Sequence, residues 1–142
     1  MYEWNAALAA ACFEAFHYVE VIVRNAVDRE MRTYYSEAQR LIPWFLLPIV
    51  GKHQATFSES IEKVRRRLRD QNRERETRDQ IIAGVDFGFW TALLHSENEE
   101  LWRHALYKAF PYSSGKRKDV VAVLEALRIF RNRLAHHDSL LG

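Results

Sequence analysis

Residues 4–35 read WNAALAAACFEAFHYVEVIVRNAVDREMRTYY, and this stretch decides the fold class. Trp4, Leu8, Cys12, Ala15, Phe16, Val19, Val23, Val27 and Met31 recur at intervals of mostly three and four. That spacing lays apolar side chains along one face of an α-helix. At roughly 1.5 Å per residue, a helix from Trp4 to about Tyr35 is roughly 45 Å long, which is long for a small domain. Such a helix forms the spine on which others pack, or reaches into a partner.

Helical periodicity continues outward from it. Ser36 to Gly51 is a connector punctuated by Pro43 and Pro48, and Ile42, Trp44, Phe45, Leu46 and Leu47 are expected to fold it back onto the core. A second helix is expected from near Lys52 to about Arg69, followed by a polar stretch from Asp70 to Glu76. Thr77 with Gln80 is a capping-box pair that starts a third helix through Leu94, and Ser96 with Glu99 repeats the device for a fourth that ends before Pro111. Tyr112 to Gly115 is a turn, and a last helix runs from about Lys116 to His136. No segment alternates as a strand, and no internal repeat is visible. The reading is an all-α bundle of about five helices with a long first helix, residues 1–142 forming a single domain. Both ends are abrupt, as expected of a domain trimmed at its termini or of a short relative lacking terminal helices.

Of the 142 residues, 48% are apolar and 28% charged, the balance of a soluble globular protein. The run Leu41 to Val50 is too short to span a bilayer, and no signal peptide is visible, so no membrane association is expected. A single cysteine, Cys12, fits a reducing cytoplasm and reads as an inert core residue. A net charge of +2 does not by itself imply nucleic-acid binding, which must rest on local clusters.

Near the C-terminus stands Arg131-Asn132-Arg133-Leu134-Ala135-His136, followed by His137 and Asp138. A guanidinium can hold two phosphate oxygens at once, and an imidazole can move a proton near neutral pH. Val120, Leu124, Leu127 and Leu134 form one apolar stripe on which Arg131 also falls. An arginine on such a seam must be paired, or must face a cleft or a partner. Asn132 lies four residues before His136, so the two share a face. The plain alternative is a helix end decorated with cations, which is favourable there, and on these residues alone the two readings weigh equally.

On the first helix His17, Glu20, Arg24 and Asp28 form a polar stripe with Asn25 alongside, which on its own reads as a solvated face laced with ion pairs. Lys63, Arg65, Arg66, Arg67 and Arg69 make one basic cluster. Lys116-Arg117-Lys118 make another at an expected helix N-terminus, where a phosphate would relieve the unfavourable dipole. Gly84 and Gly88 imply close helix packing, and Phe87, Phe89 and Trp90 read as core. His53, His95 and His104 lack metal-ligand spacing. His136, His137 and Asp138 diverge on a helix, so no metal site and no cofactor is expected.

Arg131-Asn132-Arg133-Leu134-Ala135-His136-His137-Asp138 resembles the Arg-Asn-x-x-x-His signature of the HEPN superfamily. More closely it resembles the Abi-like (abortive infection, AbiD/AbiF type) branch, with Asp138 where that branch has glutamate. Glu20 to Ala26 is similar to that family's Glu-x-x-x-Arg-Asn segment, and Asp86-Phe87-Gly88-Phe89-Trp90 to its Phe-Gly-Phe-Trp segment. The resemblance implies a HEPN-like bundle and a metal-independent endoribonuclease of a phage-defence or toxin–antitoxin system. Its products would be a 2′,3′-cyclic phosphate and a 5′-hydroxyl.

Carried over, Arg131 would bind the scissile phosphate, His136 would be the general acid or base, Asn132 would orient the substrate, and His137 would be a second proton donor. Glu20, Arg24 and Asn25 would stand beside that cleft, and Lys63, Arg66, Lys116, Arg117 and Lys118 would contact the RNA backbone. The implied partners are RNA, a second copy in a homodimer and an antitoxin protein or RNA. The residues support the dimer independently, because each chain carries one arginine–histidine set while in-line cleavage needs both an acid and a base. The competing expectation is a non-catalytic HEPN module that binds RNA, a nucleotide or a partner protein.

Overall fold

A computed structural model describes residues 2–49, 54–71 and 75–141, with side chains described within 3–136. Among the described residues there are seven α-helices and no strand. They are α1 (Tyr2–Tyr34), α2 (Glu37–Arg40), α3 (Gln54–Gln71), α4 (Arg78–Gly84), α5 (Phe87–Ala92), α6 (Glu99–His104) and α7 (Arg117–Leu141). Single 3-10 turns occupy Trp44–Leu46, Ser96–Asn98 and Leu106–Ala109. The expected start of the second helix at Lys52, and the middle of the polar stretch before Thr77, lie outside the described residues.

The all-α bundle and its long first helix are as the periodicity requires, but the segmentation is finer. The stretch expected as one helix from Thr77 to Leu94 breaks at Val85 and Asp86. Thr77 and Gln80 form the full capping box of α4, with Gln80 Oε1 accepting from the Thr77 N–H at 2.9 Å. Asp86 then restarts the chain by accepting the Phe89 N–H at 2.9 Å as the cap of α5. Gly84 sits at the break because α3 presses against it. A Cβ there would lie 2.5 Å from Val64 Cγ1. The second expected box does not form, since the carboxylate of Glu99 is taken by Arg117 and α6 starts at Glu99 with Asn98 as an N-cap that makes no side-chain bond.

α1 is the spine. It packs against α2, α5, α7 and the Leu106–Ala109 turn, while α3 packs on α4 and the Trp44–Leu46 turn. The core holds Val27, Met31, Trp44, Leu93, Leu94 and Leu106 fully out of solvent, with an aromatic cluster of Trp44, Phe57, Phe89 and Trp90. Trp44 and Phe45 fold inward as expected, whereas Ile42 and Leu46 stay exposed on the outer side of the same turn.

The apolar stripe of α1 is only half used. Phe16, Val23, Val27 and Met31 are buried, but Trp4, Leu8 and Ala15 face solvent and Cys12 is half-buried rather than core. By length and composition α1 exceeds the Leu41 to Val50 run and could cross a membrane, with an 18-residue window of mean hydropathy 1.6 within Glu3–Tyr34.

A charged network locks α2, α4 and the connector onto α1. The Arg78 guanidinium donates to Asp28 at 2.6 and 2.9 Å and to Glu37 at 2.7 and 2.8 Å, and the Trp44 indole N–H donates to Asp28 at 2.7 Å. Burial works against the charge of Arg78, but the hydrogen bonds to Glu37 and Asp28 outweigh it and hold the guanidinium above its ordinary range. Ser36 and Leu41, which bracket α2, both take left-handed backbone at φ 51° and 59°. Such strain in non-glycine residues, on the order of 1 kcal/mol each, persists because Glu37 between them is buried and held by Arg78.

Candidate functional site at the α1–α7 seam

The site is built on the C-terminal half of α7. Val120 and Leu124 anchor that helix in the core, Leu127 and Leu134 are half-buried, and Phe130 packs on Phe16 of α1 with ring centroids 5.7 Å apart. Burial therefore fades toward the helix end, and Arg131 stands where the seam opens. Its Nη1 lies 3.2 Å from Glu20 Oε1 of α1, with the two side chains 43% and 26% exposed. The pairing required of an arginine on an apolar seam is thus supplied from the neighbouring helix. Beside it Phe16, Val19, Phe87 and Leu127 line a recess of only about 10 Å³.

Asn132 and Arg133 are exposed on the outer side, and His136 is exposed one turn beyond Asn132. His137 lies in α7, but its side chain falls outside the described residues. On α1, Arg24 follows Glu20 by one turn and donates through Nε to Asn25 Oδ1 at 3.2 Å. Of the three α1 residues, Glu20 is the one whose described contacts reach Arg131. Asp28, read from sequence as part of a solvated stripe, is buried against Arg78 and Trp44 and faces the core.

The two basic clusters fare differently. On α3, Arg65 pairs with Glu62 and Glu76, Arg69 pairs with Glu62, and Arg67 donates to the Gly84 carbonyl, which leaves Lys63 and Arg66 as outward-facing cations. The bond to Glu76 pushes Arg65 above its ordinary range, while Glu76 is pushed down by its own backbone N–H and by Arg65. At the start of α7, Arg117 is turned inward, bonded to Glu99 and, at 3.0 Å, to the Leu94 carbonyl. Its donors serve the fold, with Glu99 paired to Arg117 and Asp119 in the first turn of the helix accepting from Ser114. Lys116 and Lys118 remain exposed.

Among the described residues no three His, Cys, Asp or Glu side chains converge on a point that could hold a metal ion. The Asp28–Glu37–Arg78–Trp44 network is the feature that sequence reading missed. Its members are 7 to 50 positions apart, and no local spacing links them. No family model, curated protein or solved structure matches the chain.

Proposed function

We propose that the chain is an endoribonuclease domain of the HEPN, Abi-like kind that works as a homodimer in phage defence or a toxin–antitoxin pair. The observation that carries this reading is the cross-helix pair of Arg131 with Glu20, which holds an arginine at the open end of the seam, five residues before His136 on the same helix. In this reading Arg131 uses its remaining N–H groups on the non-bridging oxygens of the scissile phosphate, where negative charge grows as the 2′-oxygen attacks. His136 takes the proton of the 2′-hydroxyl, the 2′-oxygen bonds to phosphorus, and the bond to the 5′-oxygen breaks. A second imidazole, either His137 or the same His136 of a second copy, returns a proton to the leaving oxygen. This gives a 2′,3′-cyclic phosphate and a 5′-hydroxyl with no metal ion in the step.

Two features support a second copy at this end. The recess beside Arg131 holds about 10 Å³, too little for a nucleotide, which is compatible with a second copy contributing a facing wall. Ile129 and Phe130, immediately before Arg131, are each about half exposed, as an interface residue would be in the free chain. The same small recess favours the second reading, a HEPN module that binds RNA or a partner protein without cutting it.

The deciding experiment is incubation of the purified chain with single-stranded RNA, with product ends analysed chemically. The proposal expects cyclic-phosphate ends that disappear in His136→Ala and Arg131→Ala. Cleavage undiminished in His136→Ala overturns the mechanism, and RNA binding without cleavage by the parent chain establishes the second reading.

A further inference from the structure

From Glu3 to Ala15 no residue of α1 is buried among the described residues. The exposed side of this half is not random. Trp4, Leu8, Ala11, Ala15, Tyr18 and Ile22 follow one another at intervals of four, three, four, three and four, the spacing of a helix-pairing seam. All six face solvent, with Trp4 71%, Leu8 52%, Tyr18 60% and Ile22 65% exposed. At about 100° per residue the seam lies well round the helix from the buried Phe16, Val23 and Val27 stripe.

In size the seam runs large, large, small, small, large, large, and it reads the same from either end about Phe13. We infer that this face pairs antiparallel with the same face of a second copy, bringing Trp4 to Ile22, Leu8 to Tyr18 and Ala11 to Ala15 across a two-fold axis. The alanines at the centre let the helix backbones approach, and the four large residues at the ends supply the apolar area.

Antiparallel pairing is selected over parallel for three reasons. It opposes the helix dipoles head to tail. It sets Glu14 opposite Cys12 instead of a second Glu14. It also places the two folded bodies, which each pack on α1 from Phe16 onward, at opposite ends of the pair. A bilayer is the poorer occupant, because α1 before Arg24 carries Glu3, Glu14 and Glu20 and no lysine or arginine to meet anionic headgroups.

The contact is separate from the α7 face discussed above. Glu20 lies seven positions past the axis, so the two copies of Glu20 are about 21 Å apart along the helices, and each Arg131 stays on its own chain's α1. The inference stands independently of whether the chain cleaves RNA.

Cysteine cross-linking in a Cys12→Ser background tests it. The variant carrying both Leu8→Cys and Tyr18→Cys should oxidise to a species of twice the 16.8 kDa chain mass on a non-reducing gel. Each single variant should stay monomeric on that gel, because its own copy lies about 15 Å away along the axis. In light scattering, Leu8→Glu with Tyr18→Glu should halve the associated mass while helicity by circular dichroism is kept. Cross-linking by the single variants, none by the double variant, or an unchanged mass after the glutamate substitutions each overturns the inference. So does flotation of the parent chain with phosphatidylcholine–phosphatidylserine vesicles in place of self-association. A His136→Ala chain should cross-link like its parent, which separates this result from the cleavage test.

Discussion

Glu20 Oε1 of α1 and Arg131 Nη1 of α7 lie 3.2 Å apart across the seam between the two longest helices. The arginine is therefore oriented by a residue 111 positions earlier in the chain. As the pair is partly exposed, its contribution to folding is small, about 0.2–1 kcal/mol. Its expected effect is on orientation. On the proposed endoribonuclease reading, Glu20→Gln should lower the rate of RNA cleavage roughly tenfold through misplacement of Arg131, while Arg131→Ala should lower it by about 100-fold or more. Both variants should melt within a few degrees of the parent by circular dichroism. Equal rates for Glu20→Gln and the parent would show that the pair orients nothing that matters.

The Arg78 network should behave in the opposite way. Arg78→Ala takes the cation from buried Asp28 and leaves Glu37 with the longer contact to Arg32 at 3.6 Å, and removing one partner of a buried pair costs about 3–5 kcal/mol. Arg78→Lys should recover little of it, because an ammonium cannot present two forks to two carboxylates. Urea unfolding followed by tryptophan fluorescence measures both.

The two helical glycines predict contrasting outcomes. Gly84→Ala forces a methyl to within 2.5 Å of Val64 Cγ1 and 3.0 Å of Arg67 Nη2, and should destabilise by about 1–3 kcal/mol. At Gly88 the nearest atom to a new Cβ is Asp86 Oδ1, at 3.2 Å. Asp86 need shift only slightly, and the helix propensity of alanine offsets the contact by about 1 kcal/mol, so Gly88→Ala should be close to neutral. Thermal melts of the two variants distinguish them.

Alkaline stability should depend on Tyr35. Burial first, and then its neighbour Tyr34, push its hydroxyl above the ordinary value of 10.0, with Arg40 acting against them. The unfolded chain therefore releases this proton at lower pH than the folded chain. The contribution is fully present below the unfolded value and is lost as pH rises through the raised folded one. Tyr35→Phe should flatten the fall in unfolding free energy above about pH 10, and an unchanged alkaline limb would contradict the assignment.

Local rules were legible in the sequence where the partners are close. Thr77 and Gln80 form their box because both members lie within one turn. The Ser96–Glu99 box obeys the same rule on paper, but Arg117, 18 positions beyond Glu99, takes its carboxylate. Asp28 continued a polar stripe by spacing, yet tertiary packing turned that position inward against Trp44 and Arg78. For the candidate site, Arg131 on the apolar seam announced that it needed a partner. By spacing and charge Glu20 could equally have turned to Arg24 or to Arg131, and only the packing of α7 on α1 selects Arg131. Trp4 and Leu8 matched the periodicity of the core as well as Val27 does, since spacing shows which side chains share a face and not which neighbour covers it.

The Arg78 network has one more consequence. The charges that hold the domain together, on Arg78, Asp28 and Glu37, form a set disjoint from those at the open end of α7. Substitutions at Asn132 or Arg133, both exposed on the outer side of α7, leave the Arg78 network untouched. The open end of α7 is thus free to drift in sequence without the charged network of the scaffold having to be rebuilt.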